Sequence, residues 1–344
     1  MMKKKLLSLC LAGAMLLAGC AGKPSGTAPS AAPGSDAAAA SQQQSAANYP
    51  KYAVSVNTSK AGSNVDYIAR AWAKSANQYF GANLIVNSTA GQIDAVRDTI
   101  SADPDGYTLC VVNNTVVIND VVGQTDFDAI KDVRLISTIG SNLSNWIGIK
   151  TSLAEKGNIK TLDDLIAYTK AHPGELIISD RTASNTNTAV KQLMGVGLDV
   201  VPADVGTSTD RLTNFLSGNC DVFIGSYGLI EQYIETGDVI CLAVMSSERS
   251  GFSPDVPCTG ELGYAELGCP ATYYLCGPKD LPDEVVTILE ALCEKTIADS
   301  QYVADIAANT IEPFYANSAD TVAFLSGLKE EMIALGMGAG YQAK

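Results

Sequence analysis

Short apolar runs alternate along this chain with longer stretches in which apolar residues recur every three or four positions. Tyr52–Val56, Leu84–Val86 and Tyr107–Val112 read as strands. Between them, Asp66–Phe80 places Ile68, Ala69, Trp72, Ala73, Ala76 and Tyr79 on one helical face, and Ile93–Ser101 is a second helix. Asp103-Pro104-Asp105-Gly106 is a turn by composition. Thr161-Leu162-Asp163-Asp164 opens a further helix with an acid three residues after a capping threonine, and His172-Pro173-Gly174 ends it. Leu176–Ser179, Asp221–Ile224 and Ile240–Val244 are more strands, with helices between them. The tail holds Asp283–Ala298, Ser300–Ala308 and Ser318–Leu335. This alternation predicts an α/β fold of parallel sheets covered by helices on both faces. Ligands of such sheets bind where strands give way to helices.

The first 48 residues do not share this pattern. Met1-Met2-Lys3-Lys4-Lys5 is a charged start, and Leu6 to Leu17 is apolar but too short for a permanent span of a bilayer about 30 Å thick. Residues 1–19 therefore read as a signal peptide. Leu17-Ala18-Gly19-Cys20 resembles a lipobox, which makes Cys20 the candidate lipidation site. Residues 20–48 are almost wholly Ala, Ser, Gly, Pro and Gln, a composition expected of a flexible tether. The expectation is an extracytoplasmic protein held by lipid to the outer face of the cell membrane, at the cell surface or in the periplasm. About 295 residues then remain, more than one core usually organises, so two lobes are expected.

Charge narrows the partners. The chain has 23 Lys and Arg against 37 Asp and Glu. Without the three signal-peptide lysines the balance is 20 against 37, a net of −17, which argues against nucleic acid or an anionic membrane surface as partner. Seven cysteines follow Cys20, with no C-x-x-C and no metal spacing. Cys110 sits in an apolar run, where a thiol acts as a small hydrophobe. Cys258, Cys269 and Cys276 share a loop-rich stretch that would allow one disulfide. His172 is the only histidine and is placed as a helix stop, so it makes a poor catalytic base. No phosphate-loop, HExxH or G-x-S-x-G motif is present, and no cofactor or metal is expected.

What stands out is the make-up of the strand-to-helix loops, rich in small hydroxyl and amide residues. The ligand-binding candidates they supply are Thr58, Ser59, Lys60, Ala61, Gly62 and Ser63 in the first loop, and Ala90, Gly91 and Gln92 in the second. Later loops add Asn114 and Thr115, then Arg181, Ser184, Asn185 and Thr186, then Thr207 and Ser208, and last Ser226 and Tyr227. Helix N-termini expose N–H groups that suit carboxylate or phosphate. Caps and turns favour the same residue types for structural reasons alone. Lys60 and Arg181 are either counter-charges for a ligand carboxylate or solvated cations on the rim of a cleft.

A series of short motifs runs in order along the chain. Pro104-Asp105-Gly106-Tyr107-Thr108-Leu109 is followed by Phe127-Asp128-Ala129-Ile130-Lys131-Asp132 and by Lys160-Thr161-Leu162-Asp163-Asp164-Leu165-Ile166. Leu216-Ser217-Gly218-Asn219-Cys220-Asp221-Val222, Leu242-Ala243-Val244, Glu248-Arg249 and Pro254-Asp255-Val256-Pro257 complete it. From Tyr49 to the last helix this order resembles the substrate-binding proteins of tripartite tricarboxylate transporters, the Bug-type receptors. The resemblance implies a two-lobed Venus-flytrap of the type-2 periplasmic binding class, with lobe 1 formed by 49–148 plus 255–344 and lobe 2 by 149–254. It also implies that the first two loops hold a carboxylate, often through bridging waters, and that Ser184-Asn185-Thr186, Thr207-Ser208 and Ser226-Tyr227 face it from the other lobe. The second loop departs from the family's usual Arg-Pro-Gly-Ala-Gly-Gly, and Arg181 stands in a loop usually made of small residues. Hinges are expected near Trp146–Ile149 and Ser253–Pro257. The implied function is non-enzymatic capture of a small organic acid for delivery to integral membrane transporter subunits. A ligand-sensing receptor for a membrane signalling partner and a binding protein for a neutral solute are the alternatives.

Overall fold

The computed structural model describes residues 49–142 and 145–338. The expected signal peptide, Cys20 and the tether lie outside the described residues. Two five-stranded sheets form the framework, each with helices on both faces.

The first sheet begins with β1 (Val54–Thr58), α1 (Asn64–Ala76), β2 (Leu84–Ser88), α2 (Gln92–Ile100) and β3 (Thr108–Asn113). After α3 (Thr115–Val121) comes the long β4 (Val133–Asn142). The chain then enters the second sheet through β5 (Trp146–Lys150), α4 (Thr151–Gly157), α5 (Leu162–Ala171), β6 (Ile177–Asp180), α6 (Asn185–Gly195) and β7 (Val201–Asp204). This sheet is completed by α7 (Ser208–Ser217), β8 (Val222–Gly225), α8 (Tyr227–Glu235) and β9 (Val239–Val244). The return strand β10 (Ala271–Pro278) belongs to the first sheet and is followed by α9 (Asp283–Ile297), α10 (Ser300–Ala307) and α11 (Ser318–Ala334).

The two sheets share one plan. Their orders are β2-β1-β3-β10-β4 and β7-β6-β8-β5-β9. In each, three parallel strands are followed by one antiparallel strand supplied from a distant part of the chain. Successive strand residues face opposite sides, so each sheet builds two cores. Along β3, Leu109 and Val111 face the core that holds Trp72 and Tyr302, while Cys110 and Val112 face the core that holds Leu325 and Met332. Along β8, Val222 and Ile224 join one core while Phe223 packs with Trp146 and Phe215 in the other.

Several expectations shift by a few residues. The first strand is Val54–Thr58 rather than Tyr52–Val56, because Tyr52 is exposed and stacks on Tyr107. The capping box of Thr161 and Asp164 is present as read, and His172 does close its helix. Trp146–Lys150 pairs wholly within the second sheet, whereas β4, ending at Asn142, pairs within the first. Cys258, Leu262 and Leu267 pack into the cores of the second sheet, and Cys269 is the first residue in a core of the first. After Leu267, which packs in a core of the second sheet, the chain enters the first sheet again as β10 from Ala271. Cys258, Cys269 and Cys276 are free thiols, so the stretch holds no disulfide.

Candidate ligand-binding cleft

A cavity of about 230 Å³ lies between the two sheets and takes its walls from both. On the first side stand Asn64, Asn113, Thr115, Asn142, Ala271 and Tyr273. Strand register puts most of them together: Tyr273 pairs with Asn113, and Ala271 with Asn142. Because β10 runs antiparallel, its beginning meets the ends of β3 and β4. Asn142 is held by donating to the carbonyls of Asn309 and Thr310 at 3.2 and 2.9 Å. Burial pushes the Tyr273 phenol up, while the Asn64 side chain bonds it and pulls the other way.

The second side is made of Arg181, Ser184, Asn185, Thr186, Ser208, Arg211 and Ser226. Three helices begin here. Ser184 caps α6 by accepting from the Asn187 N–H and donates to the Arg181 carbonyl at 2.6 Å. Ser226 stands at the N-cap of α8 with no side-chain bond to the helix. Ser208 opens α7, and Arg211 lies one turn further in. Arg211 is only 4 % exposed. Its guanidinium donates to the Ile224 carbonyl (3.4 Å), the Gly206 carbonyl (3.4 Å) and Ser208 Oγ (3.2 Å), all neutral oxygens. Burial lowers its pKa first and the Arg181 charge next, against the pull of Asp180 and Asp204. The cavity wall thus carries two arginines and no carboxylate.

The expected site residues divide. Thr115, Arg181, Ser184, Asn185, Thr186, Ser208 and Ser226 line the cavity, and the others do not. Lys60 and Ala61 are exposed beside the start of α1. Gly62 donates its N–H to Asp66, and Ser63 caps the same helix. Thr58 and Ser59 are buried at the end of β1. Ala90, Gly91 and Gln92 follow the edge strand β2, so their loop lies at the margin of the sheet, and Gln92 Oε1 accepts from the Asn113 N–H at 2.7 Å. Thr207 is engaged in a capping box with Asp210, and Tyr227 packs on Trp146. Asn114 is fully buried. It donates to the Pro270 carbonyl at 2.9 Å and accepts from the Asn185 side chain at 3.3 Å, a direct bond between the two lobes.

Two walls, each built on helix starts and strand ends and closing on a small polar cavity, are the layout of a solute receptor. The family model described as "TctC: Tripartite tricarboxylate transporter family receptor" matches residues 68–334. The chain belongs to this family. Among curated relatives, BugT of Bordetella pertussis is 23% identical over 274 residues, which cover 77% of this chain and 82% of BugT. A TctC solute-binding protein from Polaromonas superposes with a TM-score of 0.70 at 20% identity, over 85% of this chain and 100% of that one. A protein of R. palustris solved with adipate gives a TM-score of 0.66 at 20% identity, over 85% and 98%. The fold is the two-lobed type-2 periplasmic binding fold. The chain is a receptor and not an enzyme.

Sequence reasoning missed Asn142, Arg211, Ala271 and Tyr273 in this receptor, whereas Asn64 and Asn113 stand in two of the strand-to-helix loops it had singled out. Arg211 carried one usable signal: a cation one turn into a helix that follows a strand-to-helix loop. Ala271, Tyr273 and Asn142 depend on the pairing of β10 with β3 and β4, which no local pattern reveals. Among the described residues no group of three or more His, Cys, Asp or Glu side chains gathers for a metal ion.

Proposed function

We propose that this receptor captures a small carboxylate-bearing solute between its lobes and delivers it to a tripartite tricarboxylate-type membrane transporter. The observation that carries the reading is the charge of the cleft wall, two arginines and no acid in a chain whose formal net charge is −14. An anion is then attracted by local groups against an unfavourable global field. The adipate found with the R. palustris neighbour supports an organic acid as the solute class. A solute touching both walls binds best when they are close, so it selects the closed arrangement, which would be the form the membrane subunits recognise. Lys60 and the second loop would act at the rim of this cleft rather than in it.

The test is a thermal-shift screen of the purified chain against mono-, di- and tricarboxylates, amino acids and neutral analogues. An acid at a hundredfold excess over its Kd raises stability by about 2.7 kcal/mol. Stabilisation by neutral amides or sugars alone would overturn the carboxylate assignment. The same reading places the receptor outside the cytoplasm, anchored through Cys20. Cys20→Ala should release it from the membrane fraction; retention after a high-salt wash would remove the lipid anchor from the proposal.

A further inference from the structure

Resting on the reading of the cleft as a carboxylate receptor, we propose that Arg211 is its anion anchor. It takes the carboxylate of a compact organic acid against the second lobe, with Arg181 adding positive charge on the same wall.

The argument starts from what Arg211 lacks. Buried cations are normally paired with carboxylates, because desolvation of an isolated charge is costly. Arg211 has only neutral oxygens, at distances at or beyond the long end of ordinary N–H···O bonds. The acids whose fields reach it are bonded elsewhere. Asp180 accepts from Asn187 Nδ2 and from the Arg181 N–H, each at 2.6 Å. Asp204 accepts from the backbone N–H groups of Thr182 and Gly206 at 3.2 and 3.4 Å. A guanidinium has five N–H donors. The three contacts use Nε and one hydrogen on each terminal nitrogen, which leaves two, the number a bidentate carboxylate takes. The N-terminal ends of α6, α7 and α8 converge on the same wall and favour the same charge. On the opposite wall, Asn64, Asn113, Asn142 and Tyr273 offer neutral polar groups only.

The experiment compares the purified wild-type chain with Arg211→Met and Arg211→Lys. Melting is followed first without added anion, then with acetate, succinate, malate, adipate, citrate, sulfate or phosphate. Arg211→Met should raise the ligand-free melting temperature by about 2–4 °C, since an unpaired buried charge is replaced by an apolar chain of similar length. It should weaken the best organic acid by at least about thirtyfold, with Arg211→Lys falling between. A fall in the ligand-free melting temperature with unchanged affinity makes Arg211 a structural residue and overturns the proposal. Equal stabilisation of wild type and Arg211→Met by an acid also overturns it, while leaving the carboxylate receptor standing. If only sulfate or phosphate stabilises the wild type, and Arg211→Met abolishes this, the anchor stands and the carboxylate reading falls. If no anion stabilises the wild type, both fall.

Discussion

Two cations shielded from water in this protein, one partly and one almost wholly, live in opposite circumstances. Lys329, on α11 of the first lobe, reaches Asp120 at 2.8 Å and Asp128 at 3.1 Å, and its side chain is 13% exposed. Arg211, on α7 of the second lobe, is more deeply buried and touches neutral oxygens only. The first is satisfied by its own chain and holds α11 against α3 and the 127–132 turn. The second finds only neutral oxygens and no carboxylate partner in its own chain, and it faces a cavity. A buried charge that the fold pairs contributes to holding the fold, whereas one that it leaves unpaired costs stability and is available to a ligand.

Breaking the paired cation should give the largest change. Lys329→Met removes the ammonium shared by two buried carboxylates, of which Asp128 keeps a longer contact to Lys131 at 3.6 Å, and should cost about 3–5 kcal/mol, read in denaturant melts. Affinity for an organic acid should be unchanged in the folded fraction. Wild-type-like stability would mean that the pair is not the support described here. Acid breaks the same cluster without mutation. Burial alone would raise the Asp128 carboxyl, but the N–H groups of Lys131 and Ile130 and the Lys329 ammonium outweigh it and hold it at about 2. The unfolded value is about 3.9. The stabilisation is therefore complete above pH 4 and is lost as pH falls from about 4 to 2, on the order of 2 kcal/mol. Asp128→Asn should flatten that part of the stability–pH curve; an unchanged slope would assign the acid sensitivity to other groups.

Smaller effects sharpen the contrast between the cleft walls. Asn64→Ala removes a neutral amide from the first wall and should weaken acid binding by about 1 kcal/mol in calorimetric titration. A loss as large as that of Arg211→Met would place the charge recognition on the first lobe instead. The smallest effect belongs to Lys60→Met. Its side chain is exposed and outside the cavity wall, so affinity should move by less than about 0.5 kcal/mol at 0.15 M salt.

Much of the fold was legible because its signals are local. The Thr161 and Asp164 capping box, the stop at His172, the apolar face of α1 around Trp72 and the buried run ending in Val112 each depend on neighbours within a few positions. The second-lobe loops were legible for the same reason, since Ser184 and Ser226 stand at the caps of helices that follow strands. The first wall was legible only in part, at Thr115 and the loop ends Asn64 and Asn113. Ala271-Thr272-Tyr273-Tyr274 reads as a mixed polar stretch, and only its insertion between β3 and β4 sets Tyr273 opposite Asn113 and Ala271 opposite Asn142. Equally, Thr207 and Ser208 are adjacent hydroxyl residues, yet one closes a capping box and the other faces the cavity.

By itself the sequence determined the class of fold, the alternation that builds two sheets and the residue types that fill the turns, because periodicity and capping are written over spans of three to ten residues. Tertiary structure decided which of those turns face each other. Arg211 became a cleft residue only when α7 packed against β8 beneath the loop of Arg181, and Asn114 became a link between lobes only when Asn185 arrived across the cleft. Asn114 and Asn185 are 71 residues apart, so a local pattern could mark each loop but not their meeting.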